Sequence, residues 1–222
     1  MDAQLVAINK PAGLLVHRSG LDAQETRFAL QMLRDQLGRP VWPVHRLDKG
    51  TSGVLLFALN ADMASSLGQM FETAQMHKRY LALVRGWPAD AGVIDHALAR
   101  DPERPSAGQE LLPARTAWSV LERFEWPVQT DVRFATSRFA LVEARPESGR
   151  RHQIRRHLKH IAHPIIGDAT HGKGPLNRAV AAHLGVQRLW LHARELEFTH
   201  PGSGEVLRIE APTGAEWELP GE

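Results

Sequence analysis

The chain has 222 residues, 43% hydrophobic content and a formal net charge of +2. That is enough for one domain with an ordinary core, and too balanced for a generic polycation. The absence of cysteine excludes a disulfide framework, a thiolate zinc site and a cysteine nucleophile. No apolar run approaches the roughly 18 residues of a membrane span, and Met1-Asp2-Ala3-Gln4 lacks the character of a secretory signal. A cytoplasmic protein with no membrane partner is expected.

In chain order, residues 5–8 read as a short strand, and the Pro and Gly of Asn9-Lys10-Pro11-Ala12-Gly13 mark a turn. A helix is predicted over 26–37, with Leu30, Leu33 and Leu37 on one face and Gly38 closing it. A second is predicted over 61–75, where Met63, Leu67, Met70, Phe71 and Ala74 recur at helical spacing. Residues 78–84 read as a strand with Tyr80, Ala82 and Val84 on one face. The Pro- and acid-rich stretch 89–113 reads as an exposed excursion rather than a domain boundary, because strand patterns resume over 116–124 and 132–144. A helix over 150–161 buries Ile154, Leu158 and Ile161, and strands over 189–198 and 206–209 close the chain. Strands outnumber helices and their connections vary in length. The expected class is α+β on a bent mixed or antiparallel sheet, not a doubly wound fold.

Between the first two helices lies Val44-His45-Arg46-Leu47-Asp48-Lys49-Gly50-Thr51-Ser52-Gly53, which runs into the apolar segment 54–59. A carboxylate beside a buried strand needs a partner or a use. Asp48 is therefore either a turn-capping residue, with Arg46 the nearest ionic partner, or a nucleophile or base. Thr51-Ser52 does not supply a hydrolase nucleophile, since the Gly-x-Ser-x-Gly elbow is absent. The kinase-like His45-Arg46-Leu47-Asp48 lacks a Gly-rich phosphate loop and an Asp-Phe-Gly partner.

Charge is unevenly spread. Residues 145–194 carry ten Lys/Arg against two acids, with seven of the twelve histidines, the footprint of either a polyanion site or a solvated basic face. Within it, Arg151, Arg155 and Lys159 stand four apart, and Arg155 follows the apolar Ile154. Such an anchored guanidinium suits a bidentate pairing with a carboxylate. A helix starting near Gly149 would also present backbone N–H groups to phosphate. His152, His157, His160 and His163 lack a His-Glu-x-x-His arrangement, with Asp168 the one acid nearby, so no metal is expected. Tyr80, the sole tyrosine, either packs on its strand or stacks on a base.

Four motifs in order across nearly the whole chain resemble the RluA-type pseudouridine synthases. They are Asn9-Lys10-Pro11-Ala12-Gly13-Leu14-Leu15-Val16-His17, then His45-Arg46-Leu47-Asp48 with Thr51-Ser52-Gly53, then Lys78-Arg79-Tyr80-Leu81-Ala82-Leu83-Val84-Arg85-Gly86. The last is Gly149-Arg150-Arg151-His152-Gln153-Ile154-Arg155-Arg156-His157 through His163-Pro164-Ile165-Ile166-Gly167-Asp168, with Leu191-His192-Ala193 later. Val16-His17-Arg18-Ser19, Arg155-Arg156-His157-Leu158, Asp168-Ala169-Thr170-His171-Gly172 and Leu184-Gly185-Val186-Gln187-Arg188-Leu189 are most similar to the branch that modifies uridine 65 in the T stem of tRNA. Ser148 stands where the family usually has Thr, and His171 where it usually has Tyr. The chain begins at the opening motif, so a single catalytic domain over 1–222, without an N-terminal RNA-binding domain, is expected.

The resemblance implies a pseudouridine synthase catalytic fold with a central active-site cleft, and conversion of uridine to pseudouridine without a cofactor. Asp48 would be the nucleophile, or the base of a glycal route, with Arg155 paired to it. Tyr80 would stack on the flipped base and assist removal of the C5 proton. Arg46 would fill the space the extruded uridine leaves, and a stem uridine takes a few kcal/mol to unpair and unstack. His45, Thr51, Arg150 and His152 would lie along the RNA, with Ile154 and Leu191 as apolar walls. The expected partner is tRNA, with ribosomal RNA the alternative substrate, and the protein is expected to act as a monomer without an obligatory protein partner. The competing classes are an RNA-binding protein without catalysis, which would not need Asp48, Tyr80 and Arg155 together, and a histidine-rich metal-dependent phosphoesterase.

Overall fold

A computed structural model describes residues 3–18, 24–104, 107–130 and 133–221. The chain divides into two compact units, one formed by Met1–His77 with Ala193–Pro212 and the other by Lys78–His192 with Thr213–Glu222. The chain thus passes from the first unit to the second, back to the first, and ends in the second.

In the first unit, β1 (Leu5–Lys10) runs antiparallel to β3 (Ser52–Ala58), from Leu5 opposite Ala58 to Lys10 opposite Gly53, and the short β2 (Trp42–Pro43) pairs with the same strand. All seven residues of β3 are buried, which accounts for the apolar run from Val54 onward with no polar alternation. On the other side of β3 lies β10 (Leu191–Thr199), edged by the antiparallel β11 (Val206–Glu210). Helix α2 (Ala61–Glu72) opens where the Asn60 side chain accepts the Met63 N–H at 2.8 Å. Its Met63 and Leu67 pack into a core with Leu5, Leu56, Leu196 and Phe198.

Helix α1 (Ala29–Leu37) starts three residues later than the sequence predicts. Phe28 is extended, buried and bridged in parallel to Leu15, and this tertiary pairing overrides the helical preference of residues 26–28. Gly38 in the left-handed conformation ends the helix as expected. Helix α2 likewise stops before residue 75, because Ala74 takes a positive φ.

In the second unit, β4 (His77–Arg85), β9 (Ser137–Pro146), β8 (Arg115–Trp126) and β5 (Ala91–Asp95) are neighbours in that order, with antiparallel registers throughout. A bulge between Val120 and Glu122 leaves Leu121 exposed. The excursion over 89–113 carries strands among its described residues. It holds β5 and a small ladder of β6 (Leu98–Ala99) with β7 (Leu111–Leu112), seated through the buried Ile94, Leu98 and Ala99. The strand expected over 132–144 runs from Ser137, and Val132 lies outside the described residues.

Helices α3 (Gln153–His160) and α4 (Gly174–Leu184) place Ile154, Leu158, Leu176 and Val180 into a core rich in Trp and Phe from β8 and β9. The sequence reading did not find α4, because Lys173-Gly174-Pro175 resembles a turn. Pro in the first helical turn is a start signal instead, and Gly185 closes the helix in the left-handed conformation. These elements form an α+β protein with antiparallel ladders, consistent with the predicted class.

Candidate active site

The site residues of the first unit lie on the loop that feeds β3. Leu47 is buried while Arg46 is exposed and Asp48 half-buried, so the buried leucine anchors two charged neighbours. The loop turns tightly after Asp48, whose carbonyl accepts the Thr51 N–H at 3.0 Å, and Thr51 itself is buried. Gly53 follows at φ 111°, and a Cβ there would stand 2.1 Å from the Ala193 carbonyl oxygen of β10. Only glycine lets the strand begin this close to its neighbour.

The opening motif holds the same loop from below. Lys10 is fully buried. Its ammonium donates to the carbonyls of Leu14 at 2.7 Å, Pro11 at 3.0 Å and Lys49 at 3.2 Å, and the Gly13 N–H also reaches the Lys49 carbonyl at 2.8 Å. Lys49 in turn pairs with Glu25 at 2.8 Å. A buried ammonium is tolerated only when its donors are met, and here they fix the backbone one residue past Asp48. This clamp was not among the expected site residues. Its signal was a lysine just after the apolar segment 5–8, within the opening motif.

His45, expected along the RNA, has structural contacts. Its Nε2 accepts the Leu56 N–H at 3.0 Å and its ring stacks on Phe71 with centroids 4.8 Å apart. With Nε2 an acceptor, the ring is neutral and carries its proton on Nδ1.

The site residues of the second unit gather around the first turn of α3. Arg155 is buried and forks onto Asp168, with Nε to Oδ2 at 2.7 Å and Nη2 to Oδ1 at 2.9 Å. Oδ1 also accepts the Thr170 and His171 N–H groups at 2.9 and 2.8 Å. Burial alone would raise the Asp168 pKa, but the Arg155 hydrogen bonds and charge, aided by His171, hold it below the usual carboxylate value. The fork fixes the guanidinium plane through Nε and Nη2. Asp168, weighed in the sequence only as a metal ligand, is thus an orienting partner of Arg155.

Helix α3 begins at Gln153, later than the sequence predicts, and the residues before it are held by the Gln153 side chain. The Gln153 side chain accepts from the Arg150 N–H at 2.9 Å and the Ser148 hydroxyl at 2.7 Å, and donates to the Arg115 carbonyl and Thr116 hydroxyl at 3.0 and 3.1 Å. The preceding residue, His152, is left-handed at φ 54°, and its Nδ1 lies 3.2 Å from His171 Nε2. Arg150 reaches the Pro113 carbonyl at 3.1 Å, Arg151 pairs with Asp101 and Glu103, and Arg156 donates to the Ala99 carbonyl at 2.8 Å. Arg151, Arg155 and Lys159 therefore do not form one solvated ridge. Arg151 precedes the helix, Arg155 is buried, and only Lys159 is exposed.

Tyr80 on β4 is half-buried against the core, opposite Ala144. Two residues earlier, Lys78 donates to the Ser148 carbonyl at 3.0 Å, and burial pushes its pKa down to about 8. Ile154 and Leu191, expected as apolar walls, are both buried in the core of this unit. His157 is buried too, bonded to the Thr116 hydroxyl and the His96 carbonyl. Among the described residues, no three His, Cys, Asp or Glu side chains converge as metal ligands.

Residues 4–160 match the RNA pseudouridylate synthase family, and the chain belongs to that family, in its RluA-type branch. It is an RNA pseudouridine synthase, an isomerase. It is similar to tRNA pseudouridine synthase C of Vibrio cholerae serotype O1, 47% identical over 98% of this chain and 91% of that one. It is likewise similar to the protein of that name from Yersinia pestis, 46% identical over 98% and 86%. Among solved structures it resembles human RNA pseudouridylate synthase domain containing 1, with a TM-score of 0.74 and 27% identity over 96% of this chain and 81% of that one.

Proposed function

We propose that the chain, both units acting as one catalytic domain, isomerises uridine 65 in the T stem of tRNA to pseudouridine. The single observation that favours it is the Asp48 turn. It is a carboxylate on a backbone locked by Lys10, Gly13 and the buried Thr51, at the position the family's catalytic motif occupies. Full-length similarity to proteins named tRNA pseudouridine synthase C supports tRNA as the substrate.

In this reading the C1′–N1 bond of the uridine breaks, with Asp48 taking C1′ as nucleophile or removing a proton in a glycal route. The uracil turns and its C5 bonds to C1′ as the Asp48–C1′ bond breaks or, in the glycal route, as the proton taken from C2′ returns; the C5 proton then leaves with help from Tyr80, and N1 gains a proton. Atoms and electrons balance without a co-reactant. Arg155, its guanidinium oriented by Asp168, serves in this reading as the ionic partner of the catalytic carboxylate. Arg46, exposed beside Asp48, enters the stem and holds the space of the flipped base. Arg150, Thr51 and His152 support the RNA through the positions of their loops.

The test is pseudouridine formation in tRNA. Asp48→Ala is expected to abolish it with the fold intact, and residual conversion by that variant would remove Asp48 from the chemistry. Arg46→Ala is expected to impair a paired stem uridine more than the same uridine in a single strand; equal losses would count against a flipping role. Mapping carbodiimide-dependent reverse-transcription stops in RNA from a strain lacking the gene should show loss of the signal at tRNA position 65. Loss of a ribosomal signal instead would move the substrate to ribosomal RNA.

A further inference from the structure

We infer that His171 is a positioning residue for Arg155: its hydrogen bond to His152 ties the Asp168 loop to the N-terminal end of α3 and holds the Arg155–Asp168 fork while a single proton lies between the two facing nitrogens. The inference rests on the function proposed above through the role of Arg155.

The contacts form a closed circuit. His152 precedes α3, Arg155 lies in its first turn, and Arg155 forks onto Asp168. Asp168 accepts the His171 N–H, and the His171 ring returns to His152. His152 adopts the left-handed conformation, which side-chain-bearing residues avoid unless their surroundings hold them there. Its ring contact with His171 is one such hold. Gln153 independently secures the loop on the other flank through Ser148 and Arg150. The His171 contact adds a tie to the Asp168 loop beside those of Arg150 and Arg151 to Pro113, Asp101 and Glu103.

The same contact is sensitive to protons. Two imidazole nitrogens 3.2 Å apart attract only when one carries hydrogen and the other presents a lone pair. Once both rings are cationic, donor faces donor and the bond becomes a repulsion. The charges acting on His171 are Arg155, Arg156 and Lys159 from α3, opposed by Asp168 from its own loop. Burial pushes His171 below the usual histidine value, Asp168 pulls it up, and the three cations push it down again. The circuit is therefore closed at neutral pH and opens on acidification.

Two measurements test this. The first is kcat and KM for tRNA across pH. Wild type should lose kcat, with little change in KM, along an acid limb below the ordinary histidine midpoint of 6.5. His171→Gln, whose amide can meet His152 but does not titrate, should keep near-neutral kcat and lack that limb. His171→Leu should lower kcat by about 10- to 100-fold at every pH, the range a slightly misplaced catalytic group produces. A limb that persists in His171→Gln, or a wild-type kcat in His171→Leu, overturns the inference.

The second measurement needs no activity: the Cε1–H signals of His152 and His171 in a proton NMR titration of the intact protein. Coupled titration below the usual midpoint supports the pair. Independent titration at the ordinary value overturns it. If wild type forms no pseudouridine in any tRNA, the proposed function fails, and the NMR result decides the pair separately.

Discussion

At the scale of single residues, the buried Arg155–Asp168 fork is where charge matters most. Asp168 has no exposed side-chain area and Arg155 very little, so neither ion recovers its lost hydration if the other is removed. Breaking such a pair by deleting one partner costs about 3–5 kcal/mol. Asp168→Asn is expected to lower the unfolding free energy by that order, measured by urea denaturation at neutral pH. The pH dependence has a definite sign. The folded-state pKa of Asp168 lies below its ordinary 3.8, so its contribution is complete above that value and is lost as pH falls through the folded value. Wild type should lose its advantage over Asp168→Asn in that acid window, and an advantage that persists unchanged through it would refute the assignment. Asp168 could be read from the sequence as a residue of the last motif. Its pairing could not, because 13 residues and an Ile-Ile-Gly turn separate it from Arg155.

At the scale of elements, apolar periodicity carried most of the fold. The stripes of α2 and α3 were legible because their apolar residues recur at helical spacing, and β3 because its apolar run is continuous. The boundaries that were missed are set by contacts distant in sequence. Phe28 is taken out of α1 by its bridge to Leu15, and the segment before α3 is shaped by the Gln153 amide reaching Thr116, 37 residues away. The Asp48 loop was legible as a motif, yet its clamp by Lys10 spans 39 residues. One turn shows how tightly such contacts constrain an element. Gly167 sits at φ 77°, and a Cβ there would lie 1.6 Å from the Arg188 carbonyl oxygen. Ile166 beside it donates to Leu83 and accepts from Trp190, so the backbone has no room to retreat. Gly167→Ala should destabilise far more than the tenths of a kcal/mol typical of surface changes, and its melting temperature should fall by many degrees. A variant with the wild-type melting temperature would show that the segment can shift.

At the scale of the whole molecule, the basic window between 145 and 194 is less available to RNA than its composition suggests. Arg145 pairs with Glu143, Arg150 with the Pro113 carbonyl, and Arg151 with Asp101 and Glu103. Arg155 forks onto Asp168, Arg156 binds the Ala99 carbonyl, and Arg188 pairs with Glu216. Lys159, Lys173, Arg178 and Arg194 are instead exposed. Each phosphate neutralised by a cation releases counterions, so the slope of log K against log salt counts the cations that meet RNA, at roughly 0.7–0.9 per contact. If tRNA is the substrate, neutralising one exposed cation, as in Lys159→Gln or Arg178→Gln, should reduce that slope by about one contact and weaken binding. Arg188→Gln, which removes a cation already paired with Glu216, should instead lower the melting temperature and leave the slope unchanged. Filter-binding titrations of unmodified tRNA at several salt concentrations separate the two. Equal slope changes for Arg188→Gln and Lys159→Gln would mean that the internal pairs open on RNA binding. The sequence could count these cations, but it could not show which were paired, because their acceptors lie on β6, β9, the 100–110 segment and the C-terminal 3₁₀ turn at Ala215–Trp217.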